Sequence, residues 1–417
     1  MKIPSLYKLY AKHFLVDTDT RSIRKNTIFF ALKGANFNGN AFAEEALKLG
    51  ASYAIIDEKK YATNKNTILV KNVLKTLQEL ANYHRKQLNI PIIGLTGSNG
   101  KTTTKELIHV VLNKKCNTLA TKGNLNNHIG VPLTLLSMTP KHEVGIVEMG
   151  ANHQKEIELL TSICEPDFGY ITNFGKAHLE GFGGIEGVIK GKSELYTYLH
   201  QNKKTVFVNP NDEIQVEKTS GINRIDFHKN LQFLEANPFV KLNYKNLVIQ
   251  SNLIGAYNYA NIAAAITIGN YFKVADLQIK EAIENYIPKN NRSQIIETKN
   301  NKIILDAYNA NPSSMKVALE NFASIKEKRK VIILGDMFEL GKSSQKEHQA
   351  IIDLAKDLDF ENQFFVGENF HRAESDKHQF KEYKMLENYL KEHPLKKQTI
   401  LIKGSRGMRL ERILDFI

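Results

Sequence analysis

The octapeptide GSNGKTTT, Gly97 to Thr104, constrains this chain more than any other stretch. It follows an apolar run over residues 90–95 and opens into TTKELI, so the local order is strand, glycine loop, helix start. In that context a glycine loop binds phosphate. Gly97 and Gly100 permit backbone angles that turn successive N–H groups inward, and the helix N-terminus adds the positive end of a dipole. Lys101 supplies a point charge, and the Thr102 hydroxyl can ligate Mg²⁺. Ser98, Asn99 and Thr103 complete the loop. ATP or GTP is the first ligand to expect, bound at a parallel α/β sheet.

The loop begins almost a quarter of the way along 417 residues, more than one hydrophobic core usually organises, so two or three domains should surround it. Apolar stretches such as residues 260–268 fall well short of a bilayer span, which predicts no membrane insertion. The start, MKIPSLYKLYAKHF, lacks an apolar leader core, so a cytoplasmic location is expected. Cys116 and Cys164 form no CxxC pair and read as small core residues. The net charge of +13 raises the question of nucleic acid, but the lysines are spread along the chain without a basic tail or an aromatic–basic patch. A surface favouring small anionic substrates fits better, and no nucleic-acid partner is expected.

Periodicity divides the chain into three blocks. Residues 1–85 carry strand-like runs at 27–32, 53–56 and 67–70, with helical patterns at 42–49 and 73–88. Residues 86–290 hold the phosphate-loop strand, its helix to 111, strands at 144–147 and 168–171, a helix at 185–199, short alternating strands over 224–254 and a helix at 257–271. Residues 291–417 repeat strand then helix: 302–305, 313–325, 330–334, 344–358, 363–366, 383–392, 399–402 and 408–416. The prediction is an α/β fold of three domains: a small N-terminal unit, a central parallel-sheet ATPase and a C-terminal Rossmann-like domain.

Open parallel sheets bind ligands outside the carboxyl ends of their strands, so strand-end polar residues are the candidates for chemistry. Glu148 directly follows the run at 144–147 and can hold the nucleotide's metal, directly or through water. His178, just past the next strand, reads equally as a metal ligand or as a hydrogen-bonded structural residue. Lys192 reads on spacing alone as a solvated helix lysine.

The ordered set GSNGKTTTKE, TKGNLNNHIGVPLTLL, VEMGANHQKEIELL, TNFGKAHLEGFGGIEGVIKGKSEL, GAYNYANIAAAI, DAYNANPSSM, LGDMFELG and IKGSRGMRLE resembles the Mur ligases over nearly the whole chain. YNANPSSM, LGDMFELG and the N-terminal DTRSIRKNTIFFALKGANFNGNAF favour the branch that adds a D-Ala-D-Ala dipeptide. The resemblance implies a cytoplasmic, monomeric, ATP- and Mg²⁺-dependent ligase of peptidoglycan precursor synthesis. Its substrates would be UDP-N-acetylmuramoyl-tripeptide and D-Ala-D-Ala, joined through an acyl phosphate. A related amide ligase, such as a folylpolyglutamate synthetase or a peptidoglycan-recycling ligase, would share the ATP site. A non-enzymatic nucleotide switch would not need Glu148, His178 and Lys192 together.

Residue by residue, the resemblance implies Lys101 on the β- and γ-phosphates, and Thr102, Glu148 and His178 around Mg²⁺. Lys192 would be carbamylated by CO₂ and so become an anionic metal ligand. Asn124 and Asn127 would line the sugar–peptide channel, and Asn258 and Asn261 would approach the adenine. Arg292, Asp306, Tyr308 and Asn309 would reach ATP from the third domain. Asp19, Thr20, Arg21, Lys33 and Asn36 look like the UDP grip, and Lys403, Ser405 and Arg406 would meet the dipeptide. Tyr257 stands where a histidine is common, Gly191 where an alanine is usual and Gly184 where a serine is frequent. These departures bear on adenine contacts and leave every metal ligand in place.

Overall fold

A computed structural model, describing residues 1–289 and 291–417, contains three largely parallel sheets in succession along the chain. The first runs Val16–Asp17, Ile28–Phe30, Tyr53–Ile56, Thr67–Leu69, parallel throughout. Side chains alternate across a strand, so Ile28, Phe30 and Ile55 face the main core. Phe29, Ala54 and Ile56 face a smaller cluster on the opposite side.

The helix Val73–Leu88 fastens this unit to the next. It starts where the Asn72 side chain accepts the Lys75 N–H at 2.7 Å and stops at Asn89, whose φ of 49° is left-handed. Val73, Leu77, Leu80, Ala81 and His84 share one buried face. That helix packs against Ile3–Tyr10, a helix the periodicity did not reveal, and against Gly130–Leu136 and Glu156–Cys164 of the central unit. Near its end Arg85 donates to the carbonyls of Cys164, Glu165 and Ile90 and, at 2.6 Å, to the Asp167 carboxylate. Cys164 is buried here, as expected of a core residue, and Cys116 is half-buried.

The central sheet has the order Asn223–Asp226, Thr205–Val208, Phe168–Ile171, Ile92–Thr96, Val144–Glu148, Thr118–Ala120, all parallel. The expected series of alternating strands over 224–254 is therefore divided. Asn223–Asp226 follows the helix Glu213–Lys218, and such a crossover returns it parallel to Thr205–Val208. Only Leu231–Ala236, Phe239–Tyr244 and Leu247–Ile254 form the antiparallel meander. Asn258–Tyr271, apolar nearly all round, is correspondingly buried against Lys101–Leu112. Gly269 allows that approach, since a Cβ there would lie 2.4 Å from Val111.

The third sheet runs Gln294–Glu297, Lys302–Asp306, Thr399–Lys403, Lys330–Gly335, Asn362–Val366, His378–Phe380, with only the first strand antiparallel. The helix expected over 408–416 is instead a pair of 3₁₀ turns, Arg406–Met408 and Leu410–Phe416, parted by Arg409 at φ 50°. Leu410 and Ile413, three apart, are both buried, which suits three residues per turn. Among the described residues no helix is long and apolar enough to cross a membrane.

Arg85→Ala should lower stability by about 1–3 kcal/mol in denaturant unfolding, because it strips donors from three carbonyls and from Asp167. Asp167 keeps Lys204 as a partner at 2.7 Å, so adding Asp167→Asn should cost clearly less than the sum of the two single changes. Full additivity would show that the two side chains act separately.

Candidate functional site

Strands Phe168–Ile171, Ile92–Thr96 and Val144–Glu148 are neighbours in register, so their carboxyl ends place Thr172, Gly97 and Glu148 side by side. The glycine loop is clamped between them. Gly97 has φ 147°, and a Cβ there would fall 1.8 Å from Thr172 Oγ1. That hydroxyl donates to the Asn99 carbonyl at 2.5 Å. Asn173, next in the chain, holds the same residue, its Oδ1 accepting the Asn99 N–H and its Nδ2 donating to the Asn99 carbonyl. Gly100, at φ 78°, leaves room for Asn261, whose Oδ1 lies 2.7 Å from the position a Cβ would take.

A cavity of about 780 Å³ opens above this edge. The phosphate loop from Ser98 to Thr103 lines it, with Glu148, His178, Asn124 and Asn127 from the central unit. Facing them are Arg292, Asp306, Tyr308, Asn309 and Lys403 from the carboxyl edge of the third sheet. Two strand-end edges thus share one cavity. The units are joined around it by the Asn311 side chain donating to Asn99 Oδ1 at 2.7 Å, by the Lys176 N–H on Ser313 Oγ, and by a Lys176–Glu347 ion pair.

Lys101 Nζ donates to the Gly97 carbonyl at 2.8 Å, and burial, opposed by the nearby Glu148 carboxylate, holds its pKa below the usual lysine value. Glu148 is 1% exposed. Its Oε1 accepts from Asn126 at 2.9 Å and from Thr102 at 3.4 Å, but its Oε2 is buried without a partner. A buried carboxylate oxygen lacking a donor beside a hydroxyl and a phosphate loop fits a cation. Among the described residues no three His, Cys, Asp or Glu side chains form a ready cage. This donor set suits Mg²⁺, which binds through one or two carboxylates and draws its other ligands from water and phosphate.

Lys192 is not the solvated residue its spacing suggests. It is 1% exposed, with the Phe182 ring 5.3 Å from Nζ, and burial together with the charge of Lys101 drives its pKa well below the usual lysine value. His178 lines the cavity while its Nδ1 meets the Glu339 carboxylate, and that contact lowers the Glu339 pKa.

The other expected residues divide between the cavity and places outside it. Asn258 and Asn261 touch the cavity but also buttress the loop: Asn261 accepts from Thr104 Oγ1 at 3.0 Å and donates to Asn258, which donates to the Ile254 carbonyl. Arg292 stacks on Tyr308 at 3.7 Å. Lys403, 2% exposed, pairs with Asp306 at 2.5 Å. Ser405 and Arg406 are not in the cavity lining: Ser405 Oγ accepts the Phe338 N–H at 3.0 Å, and Arg406 pairs with Glu411. Asp19, Thr20, Arg21, Lys33 and Asn36 lie on the first unit, also outside the lining. There Arg21 pairs with Asp19, and Lys33 with Asp57 and Glu58. Asn126, Thr172, Asn173, Asn311 and Glu339 were not singled out from the sequence. Thr172 and Asn173 follow a strand directly, so the strand-end rule that found Glu148 reaches them too.

Comparison with known proteins gives the same architecture. The Mur ligase family catalytic domain matches residues 13–85, the Mur ligase middle domain 95–269, and the Mur ligase glutamate ligase domain 291–406. The UDP-N-acetylmuramoyl-tripeptide–D-alanyl-D-alanine ligase of Bacillus subtilis (strain 168) is 34% identical, over 96% of this chain and 92% of that protein. The Escherichia coli (strain K12) protein of the same name is 33% identical with the same coverage. A crystal structure of MurF from Acinetobacter baumannii superposes with a TM-score of 0.86 at 29% identity, covering 96% of this chain and 92% of that one. The Thermotoga maritima MurF ligase, solved in complex with ADP, shares the fold with a TM-score of 0.84 at 24% identity, covering 96% of each chain. With the phosphate loop, the strand-end carboxylate and the facing third sheet all in place, the chain belongs to the Mur ligase family.

Proposed function

We propose that this chain is an ATP-dependent ligase that joins D-Ala-D-Ala to the free carboxyl of UDP-N-acetylmuramoyl-tripeptide, with residues 1–85, 86–290 and 291–417 as its three domains. The observation that carries the reading is the single cavity in which a phosphate loop and a buried carboxylate face the edge of a second sheet. The full-length likeness to ligases of that name supports the choice of substrates. A monomer working in the cytoplasm suits soluble substrates of this kind.

In this reading a carboxylate of the tripeptide attacks the γ-phosphorus of ATP, ADP leaves, and an acyl phosphate forms. The dipeptide amine then attacks the acyl carbon, the tetrahedral adduct collapses to an amide, and phosphate departs. The phosphate loop N–H groups and Lys101 orient the β- and γ-phosphates. Thr102 and Glu148 would hold Mg²⁺, with His178 as a further ligand. When bound, the ion offsets repulsion between the attacking carboxylate and the phosphate. Arg292, Tyr308 and Asn309 approach the nucleotide from the third domain, and Asn258 and Asn261 keep the loop in shape beside it. Asn124 and Asn127, which line the cavity, are assigned to the acceptor peptide. The exposed Arg21, with its planar fork, and Lys33 are the first unit's cations for the UDP diphosphate. Lys403 and the nearby Ser405 and Arg406 are assigned to the dipeptide end.

The environment of Lys192 favours the neutral amine, the form that adds to CO₂. The nitrogen attacks carbon, a proton leaves to solvent, and the side chain becomes a carbamate able to accept or ligate where an ammonium would repel a metal.

Phosphate release should require ATP, UDP-N-acetylmuramoyl-tripeptide and D-Ala-D-Ala together, and equal turnover with either acceptor omitted would refute a ligase. Lys101→Ala should cut turnover by about 10²–10³-fold or more while circular dichroism stays unchanged. Lys192→Ala should lose a comparable factor and regain part of it with formate or acetate, which can occupy the vacated anionic position. The same acids should leave Lys101→Ala inactive, because its missing group is a cation. Rescue in the opposite sense would show that the two lysines have been assigned the wrong charges.

A further inference from the structure

His178 and Glu339 belong to different domains and meet at the rim of the cavity. Neither is in a relaxed backbone state. His178 has φ 52° and Glu339 φ 62°, left-handed conformations that a non-glycine residue rarely adopts. Both are held there by their surroundings. The Glu339 carbonyl accepts the Glu180 N–H at 3.2 Å.

The loop that carries Glu339 is anchored at each preceding residue. Asp336 accepts the N–H groups of Asn369 at 3.0 Å and Phe370 at 2.9 Å. The Met337 N–H donates to Nε2 of the fully buried His348 at 3.0 Å, and the Phe338 N–H donates to Ser405 Oγ at 3.0 Å. Glu339 is therefore presented by a fixed platform of the third domain. Its partner atom, His178 Nδ1, is the ring nitrogen that a metal-binding histidine commonly commits to a carboxylate while the other nitrogen binds the ion.

We propose that Glu339 is a positioning residue for His178. Its carboxylate accepts the Nδ1 proton of the neutral ring and so leaves the Nε2 lone pair for the cavity. Docking of the third domain then sets the tautomer and angle of a side chain in the central domain. The proposal rests on the ligase reading, in which His178 is a ligand of the nucleotide's metal. It adds the residue that makes His178 competent for that duty. A surface pair of no consequence, the usual fate of a half-exposed glutamate, would leave the ring indifferent to Glu339.

The test uses the full chain labelled with ¹⁵N-histidine, the His178 signals being identified by their loss in His178→Gln. In the metal-free protein His178 should be the Nδ1–H tautomer. Glu339→Ala should convert it to a mixture, and Glu339→Gln, whose amide oxygen still accepts, should keep most of it. Mn²⁺ binding in the presence of a non-hydrolysable ATP analogue, followed by electron paramagnetic resonance, supplies the second reading. Glu339→Ala should weaken it by about 10–100-fold, and Glu339→Gln by less. In a His178→Gln background Glu339→Ala should cost nothing more. An Nε2–H ring in the unaltered protein, a tautomer unmoved by Glu339→Ala, or an equal Mn²⁺ loss with His178 already gone would each overturn the proposal. The tautomer reading needs no ligand, so it decides the role of Glu339 even if the protein failed to bind Mn²⁺ and nucleotide, a failure that would count against the ligase reading instead.

Discussion

The missing Cβ of Gly97 is the constraint on which the rest of the site depends. Thr172 can reach the Asn99 carbonyl only because nothing projects from Gly97 toward it. With Asn173 bonded to the same residue from the same strand end, the loop is held to the sheet rather than left to fold around a ligand. A loop whose N–H groups are already convergent binds phosphate without an ordering cost. Its position also fixes where the neighbouring strand must deliver a carboxylate, and the register of Leu95 with Glu148 does so.

The third domain reads that same loop. Asn311 begins the helix Pro312–Ser324 as its N-cap, its Oδ1 accepting the Ser314 N–H, while its Nδ2 donates to Asn99. One asparagine therefore starts a helix and joins the two halves of the cavity. Displacing the third domain would cost the loop a hydrogen bond and the helix the fixed orientation of its cap. The Lys176–Glu347 pair and the His178–Glu339 contact lie on the same seam. A seam of polar, partly exposed contacts suits a joint that opens and closes, whereas the apolar packing of Val73–Leu88 on the central helices suits a permanent one.

Much of this was legible in the sequence. The phosphate loop and Glu148 announce themselves because a strand, a loop and a helix are local and strand ends are where parallel sheets do chemistry. The helices at 73–88 and 383–392 follow from apolar spacing alone. The rest depends on partners distant in the chain. Asn126 matters because it meets Glu148, and Asn311 because it meets Asn99, pairings that no local pattern encodes. Lys192 was misread for the opposite reason: a lysine is usually solvated, and only the packing of Phe182 and its neighbours makes this one an interior residue. The short edge strands Val16–Asp17 and His378–Phe380 are too brief for periodicity to register. At the C-terminus the buried spacing of Leu410 and Ile413 suits a 3₁₀ turn as well as an α-helix.

Burial and the charge of Lys101 lower the pKa of Lys192 against the opposing pull of Glu156, and burial and Arg292 lower that of Lys101 against the opposing pull of Glu148, so the site has a charge problem to solve. Lys101 has a task as a cation once phosphates arrive, since the anionic ligand restores the charged form that burial disfavours. Lys192 gains less as a cation, because repulsion from Lys101, to which a metal ion would add, opposes the pull of Glu156. A neutral Lys192 would be a costly interior residue with little to do, and an apolar side chain of similar volume would pack against Phe182 more cheaply. The proposed conversion to an anion would remove the conflict. The same buried position would then place negative charge near Lys101, where it would favour the protonated form of that lysine and attract a divalent ion. In the proposed ligase the two lysines would thus carry opposite charges, the cation on the phosphates and the anion on the metal side.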